Sequence, residues 1–245
     1  MRYRVCMVVV IFCLGALESC GGGNSGGSGI NIAGNWQVTA NSTVFGFSYT
    51  ASGQVNQNGS ALSGSLALSG TPCAESANFT GNLSGNKITA TLDENGQNTM
   101  YTGTVSADGN SASGTYQSPA GGCTDSDAGT FSGQRVSMLN GMFIGSFGPE
   151  NSIPANIVTQ LHDEGGNVSG SATITNSLCF HSMNVTGNVS GFKVELHGAD
   201  IQADFRAVTF HGTFNQQNKS LALYYLVAGG SCSGESGTAQ LKLLR

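Results

Sequence analysis

Apolar and polar side chains alternate at a period of two over most of the chain, the spacing of a β-strand with one face buried. Phe45, Phe47 and Tyr49 share a face. So do Leu62, Leu66 and Leu68; Phe79 and Leu83; Ile88, Ala90 and Leu92; Tyr101 and Val105; and Ala112 and Tyr116. The alternation returns in Phe143 and Phe147; Val168, Ala172 and Ile174; Met183, Val185 and Val189; Phe192, Val194 and Leu196; Val208, Phe210 and Phe214; Leu221, Leu223 and Tyr225; and Ala239, Leu241 and Leu243. Asn58-Gly59, Ser84-Gly85-Asn86 and Asp108-Gly109-Asn110 punctuate the runs, and each supplies the positive-φ residues that tight hairpins need. The pattern predicts about eight short strands in each half of the chain, each joined to the next by a short turn. Such a meander closes into an up-and-down barrel, which leaves no sheet edge exposed. A two-sheet sandwich gives the same alternation. The expected class is therefore all-β: two tandem, small, up-and-down antiparallel β-barrels of about eight strands, with β-sandwiches as the alternative.

The two halves are copies of one unit. Residues 77–92 (ANFTGNLSGNKITATL) align with residues 183–198 (MNVTGNVSGFKVELHG), Cys73 with Cys179, Tyr101 and Gly103 with Phe210 and Gly212, and Cys123 with Cys232. Between these landmarks the offset drifts only from 106 to 109 residues. Repeats at a fixed period mark a duplicated structural unit. The repeats are placed at 33–136 and 140–245, with a link too short to let them move freely. Several glycines fall on the inward face: Gly64, Gly81, Gly103 and Gly114, then Gly170, Gly187 and Gly212. A glycine inside a strand weakens it unless a bend or a close approach requires it, and the sharp coiling of a small closed sheet is one such reason.

Strand order places the cysteines. In an eight-strand meander the loops after the third and the seventh strands lie at the same end. Cys73 and Cys179 fall in the first kind of loop, Cys123 and Cys232 in the second. Bridges Cys73–Cys123 and Cys179–Cys232 are geometrically reasonable, the alternative being four free thiols. A bridge closing about 50 residues is worth roughly 4 kcal/mol on the chain-entropy model.

The N-terminus reads as an export signal. Arg2 and Arg4 precede an apolar run over residues 5–17. That run is shorter than the roughly 20 residues a spanning helix takes, and charge followed by a short apolar stretch is the layout of a secretory signal peptide. It ends at Leu17-Glu18-Ser19-Cys20, which resembles the lipobox of bacterial lipoproteins, with Glu18 where a small or neutral residue is usual. The resemblance implies a signal peptide over 1–20, lipid on Cys20, and a membrane as partner through that lipid. Residues 21–32 then form a Gly/Ser-rich tether, whose first nine residues have a reach of roughly 15–18 Å. An ordinary cleaved signal, with Cys20 incidental, and a retained anchor are the other readings. Cys6 and Cys13 lie within the signal. Export to an oxidising compartment is what permits the two bridges.

Composition narrows the function. Charged residues are 9% of the chain, with nine Lys and Arg against fourteen Asp and Glu. A nucleic-acid-binding surface needs a basic patch, so no nucleic-acid partner is expected. Gly34-x-Trp36 at the start of the first strand, with Arg135 late in the last strand of that repeat, resembles the opening of lipocalins and related calycin barrels. In those families the Trp plugs the closed end of the barrel. The second repeat has Phe143 in place of the Trp. The resemblance implies a barrel shape, and shape alone does not carry function.

No constellation of catalytic groups stands out. His162, His181, His197 and His211 all lie in the second repeat, and only His181 sits at the mouth crossed by a proposed disulfide. Asp125 and Asp127 have the spacing of calcium ligands without the rest of an EF-hand loop. No serine stands on a nucleophile elbow. The expectation is a non-enzymatic, membrane-tethered envelope lipoprotein of the outer membrane, facing periplasm or surface, with no cofactor, no metal and no catalytic residue. Its barrels would bind a small or apolar ligand near the disulfide mouth, through ligand-binding residues not identifiable from sequence. The alternative is a structural or adhesive surface module with filled barrels. Native mass spectrometry of the protein purified from its own envelope is expected to show a lipidated Cys20 and two disulfides. An unmodified Cys20 or a different N-terminus would overturn the lipoprotein reading.

Overall fold

A computed structural model describes residues 29–150, 152–200 and 206–244; the expected signal peptide and the expected lipidation site, Cys20, lie outside them. Strands β1 (Gly34–Ser42), β2 (Ser48–Asn58), β3 (Ala61–Ser69), β4 (Ser76–Ser84), β5 (Lys87–Glu94), β6 (Gln97–Val105), β7 (Ser111–Gln117) and β8 (Ala128–Arg135) pair in sequence order. β8 pairs back onto β1, with Ala40 opposite Phe131, and closes an antiparallel barrel. The second repeat does the same with β9 (Gly141–Gly148), β10 (Ala155–Glu164), β11 (Asn167–Thr175), β12 (Ser182–Ser190), β13 (Lys193–Asp200), β14 (Ala207–Asn215), β15 (Ser220–Ala228) and β16 (Ser236–Leu243). Two closed eight-stranded barrels fit a calycin-like fold and decide against the sandwich.

The period-two pattern maps directly onto burial. Along β10, Ala155, Ile157, Thr159, Leu161 and Asp163 are buried and the residues between them are exposed. The inward glycines have a steric cause. A Cβ on Gly64 would collide with the carbonyl oxygen of Gln54 and the ring of Phe79. The apolar pattern overreaches at two places. Phe45 and Phe47 stand in the β1–β2 loop, stacked on each other at 6.0 Å between centroids, and do not extend β2. Phe192 sits in the β12–β13 turn. Each segment holds a positive-φ glycine, Gly46 between the two phenylalanines and Gly191 just before Phe192, which breaks the extended backbone while the apolar alternation continues.

Both disulfides are present, Cys73–Cys123 with Cα atoms 5.5 Å apart and Cys179–Cys232 at 5.9 Å. They cross the same end of their respective barrels, called here the mouth.

The opposite end is closed by a device that occurs in both copies. The residue shortly before each first strand turns into the bore, and a side chain from the second strand holds its backbone. Ile32 donates its N–H to Gln57 Oε1 (2.8 Å), and Leu139 donates to Asp163 Oδ2 (3.1 Å). Both plugs are buried. Above Ile32 lies Trp36, whose Nε1 donates to the Ile32 carbonyl at 2.7 Å. Arg135 donates to the Asn31 carbonyl (3.2 Å), tying the last strand to the plug segment.

The plug of the second barrel is also the link between barrels, which explains their restraint. Ser137 accepts from Lys219 Nζ (2.9 Å) and donates its N–H to Gln216 Oε1 (2.7 Å). The buried Asn35 side chain of β1 makes a reciprocal pair with the β12–β13 turn, accepting from Gly191 N (2.7 Å) and donating to Gly191 O (2.9 Å). Leu139→Ala leaves the backbone bond to Asp163 possible but empties the base of the second bore. It is expected to lower the unfolding free energy by about 2–5 kcal/mol, read by denaturant titration, whereas a loss below about 1 kcal/mol would show the plug to be dispensable.

Candidate functional site

The two copies diverge in the bore. An eight-stranded barrel has an interior that side chains just fill, or that holds one small ligand. Register aligns the inward positions of the copies one to one. Where β13, β15 and β16 place Leu196, Leu221, Leu223 and Leu241, the first barrel has Ala90, Ala112, Gly114 and Gly133. Where the second copy has Ile157 and Phe147, the first has Ala51 and Ala40. The exchange runs both ways, since Tyr49 and Phe131 stand opposite Ala155 and Ala239 of the other copy. It does not balance. The first barrel keeps a cavity of about 100 Å³, lined among others by Trp36, Ala51, Leu66, Phe79, Ala90, Tyr101 and Ala112. The second bore is filled by fully buried Phe143, Leu161, Leu221 and Tyr225. Its mouth is stoppered by Phe180, 0% exposed, at the position after Cys179; the residue after Cys73 is Ala74.

A polar layer lies over the cavity at the mouth. Asp127, fully buried, accepts from Ser42 Oγ (2.6 Å) and from the Tyr116 hydroxyl (2.8 Å). The hydroxyls of Tyr49 and Tyr101 meet at 2.9 Å. Thr99 and Ser118 bond at 3.0 Å, Thr124 donates to Ser118 at 3.1 Å, and Gln97 donates to Thr124. Gln97 Oε1 accepts from Cys123 N (2.7 Å), so the disulfide loop is anchored to this layer. In the second barrel Val208 and Val227 replace Thr99 and Ser118. One element of the layer is duplicated: Tyr225 donates to Glu235 at 2.9 Å, as Tyr116 does to Asp127.

Glu94 completes the layer. It ends β5 immediately before Asn95-Gly96, whose φ values of 56° and 90° suit a two-residue type I′ hairpin. The side chain is 5% exposed, and among the described residues none donates a hydrogen bond to its carboxylate. Burial pushes its carboxyl above the usual range. Burial also raises the phenols of Tyr49 and Tyr101, and it pushes Tyr116 up to about 12 with help from Asp127.

The histidines do not assemble into a site. His162, His181, His197 and His211 are exposed, and His197 lies within β13, its Nε2 3.2 Å from Glu195. Asp125 and Asp127 point apart: Asp125 accepts from Gly121 N on the surface (2.6 Å), while Asp127 faces the bore. The side chains of Cys179, Cys232 and Glu235 lie close together, but both sulfurs are spent in a disulfide and offer a metal no thiolate. Sequence reading missed Glu94 and weighed Asp127 only as a calcium ligand, although parity points both into the bore. Glu94 follows Ile88, Ala90 and Leu92 at period two, and Asp127 precedes Gly129, Phe131 and Gly133.

Compared with known proteins, the chain matches no family model and no curated sequence.

The folded-state pKa of Glu94 lies above its ordinary 4.5. Its contribution to stability is therefore full below that value and is lost as pH rises through the folded pKa. Glu94→Gln cannot ionise. It is expected to melt at a higher temperature than the native protein at neutral pH, with the gap closing as the solution is acidified below 4.5. An equal gap at all pH values would mean that the carboxylate is not the cause.

Proposed function

We propose that the protein is an exported, non-enzymatic envelope lipoprotein, anchored in the outer membrane through Cys20, whose first barrel holds a small apolar group. The second barrel is a filled copy that serves as a structural base for the first. The observation that carries this reading is the apolar cavity of about 100 Å³ in one copy, set against the packed bore of the other. Cavities of this order are dry when their lining is apolar, and a hollow of about 150 Å³ accommodates benzene. The occupant is thus of the size of a single aromatic ring or a short branched alkyl group, far smaller than a typical lipid. Two disulfides are compatible with export. The filled second copy favours a structural or adhesive role for that half.

Toluene is the direct probe. Saturable binding is expected, seen as a raised melting temperature and as NMR shifts confined to the first bore. Ala90→Leu and Ala112→Leu restore the leucines of the second copy, and each is expected to abolish binding by at least about tenfold in affinity while the protein stays folded. Failure of the native protein to bind toluene would overturn the ligand reading in favour of the structural one.

A further inference from the structure

The charges of the first barrel are sorted along its axis. Of the six acids in the first repeat, Glu75, Asp93, Glu94, Asp125 and Asp127 lie at the mouth and only Asp108 at the closed end. Its two basic residues, Lys87 and Arg135, both lie at the closed end. A mouth lined by one sign of charge over low-dielectric walls attracts the opposite sign. The second barrel meets the same problem differently. Its β13–β14 connection is longer, and Arg206 from that loop reaches the mouth, donating to the Cys179 carbonyl at 2.6 Å. The tight Asn95-Gly96 turn leaves the first barrel no counterpart.

Glu94 is the buried acid of the mouth to which none of the described residues donates. Asp127 has two donors of its own, and Tyr49 and Tyr101 satisfy each other. Glu94 is buried beside those tyrosines, one inward position above Leu92, which lines the cavity. Its carboxylate oxygens keep contact with solvent at the mouth, where a ligand can reach them. Aromatic rings around the carboxylate add faces that attract a cation.

Building on the apolar-cavity reading, we infer that the first barrel takes a small organic ammonium compound, with its apolar body in the cavity and its N–H donors on the Glu94 carboxylate at the mouth. Tyr49, Tyr101 and Tyr116 surround the head group, and Asp127 adds a second negative charge nearby. The emptiness of the cavity and the lack of a described donor at Glu94 are then two sides of one site. The filled second barrel, with Arg206 at its mouth, has neither.

Benzylammonium, benzyl alcohol and toluene share a ring and differ in the head, so together they separate the two parts of the site. Calorimetric titration of the disulfide-intact protein is expected to show benzylammonium binding roughly ten- to hundredfold tighter than either neutral probe, the range of a charge-assisted hydrogen bond. Glu94→Gln should remove that advantage and leave toluene unchanged. Acidification should weaken benzylammonium alone, because it removes the Glu94 charge while the ammonium keeps its proton. If toluene binds and benzylammonium binds no better, or if Glu94→Gln leaves the order intact, the head-group inference fails and the apolar cavity stands. If none of the three binds, both fail.

Discussion

Closure of each sheet into a ring of eight strands is the constraint on which everything else depends. Once β8 pairs with β1, the bore has a fixed width, and the backbone cannot collapse to absorb a missing side chain as an open sheet or a bundle can. Volume lost at one inward position must be returned at another or remain as space. The duplication offers an internal comparison. Both copies share strand order, several inward glycines, disulfide placement and the plug, yet one bore is full and the other is not. The difference reduces to a ring of small residues, Ala90, Ala112 and Gly133, where the other copy has leucine.

In the first barrel the same closure gathers a mutually bonded set of buried polar groups at the mouth. Inward positions near the mouth sit beneath long loops tied down by a disulfide, and in the first barrel hydroxyls and amides from four strands and the last connection satisfy one another there. Asp127 is the hub, held by Ser42 and Tyr116. At the other end a single apolar residue, Ile32 or Leu139, suffices, because its backbone is held by a side chain reaching back from the second strand. The two ends of one barrel thus differ in kind, one dry and sealed, the other polar and acidic. Among the described residues, the contact between barrels uses the sealed end of the second, away from the mouth of the first.

Strand count, duplication and disulfide pairing were legible from residues alone because each rests on a local or nearly local rule. Period two says which face of a strand is buried, Asn-Gly and related pairs say where it turns, and a meander sets loop parity, so Cys73 and Cys123 must share an end. Parity also held the clue to Glu94, but nothing local distinguishes an acid that turns into a mouth from one that frays into solvent. The stacked Phe45 and Phe47 failed the pattern because a positive-φ Gly46 redirects the chain between two residues whose spacing still reads as strand.

The cavity belonged to the tertiary structure. It is a small difference between two large sums, the volume a ring of eight strands encloses and the volume its inward side chains occupy, and those side chains come from strands up to about 100 residues apart. Register decides which alanine faces which tyrosine, and no single strand contains that information. That none of the described residues donates to Glu94 is likewise a statement about every element around the mouth. The sequence by itself determined two disulfide-stapled β-units of one design; the closed ring decided that one of them is hollow, with an acid at its opening to which no described residue donates.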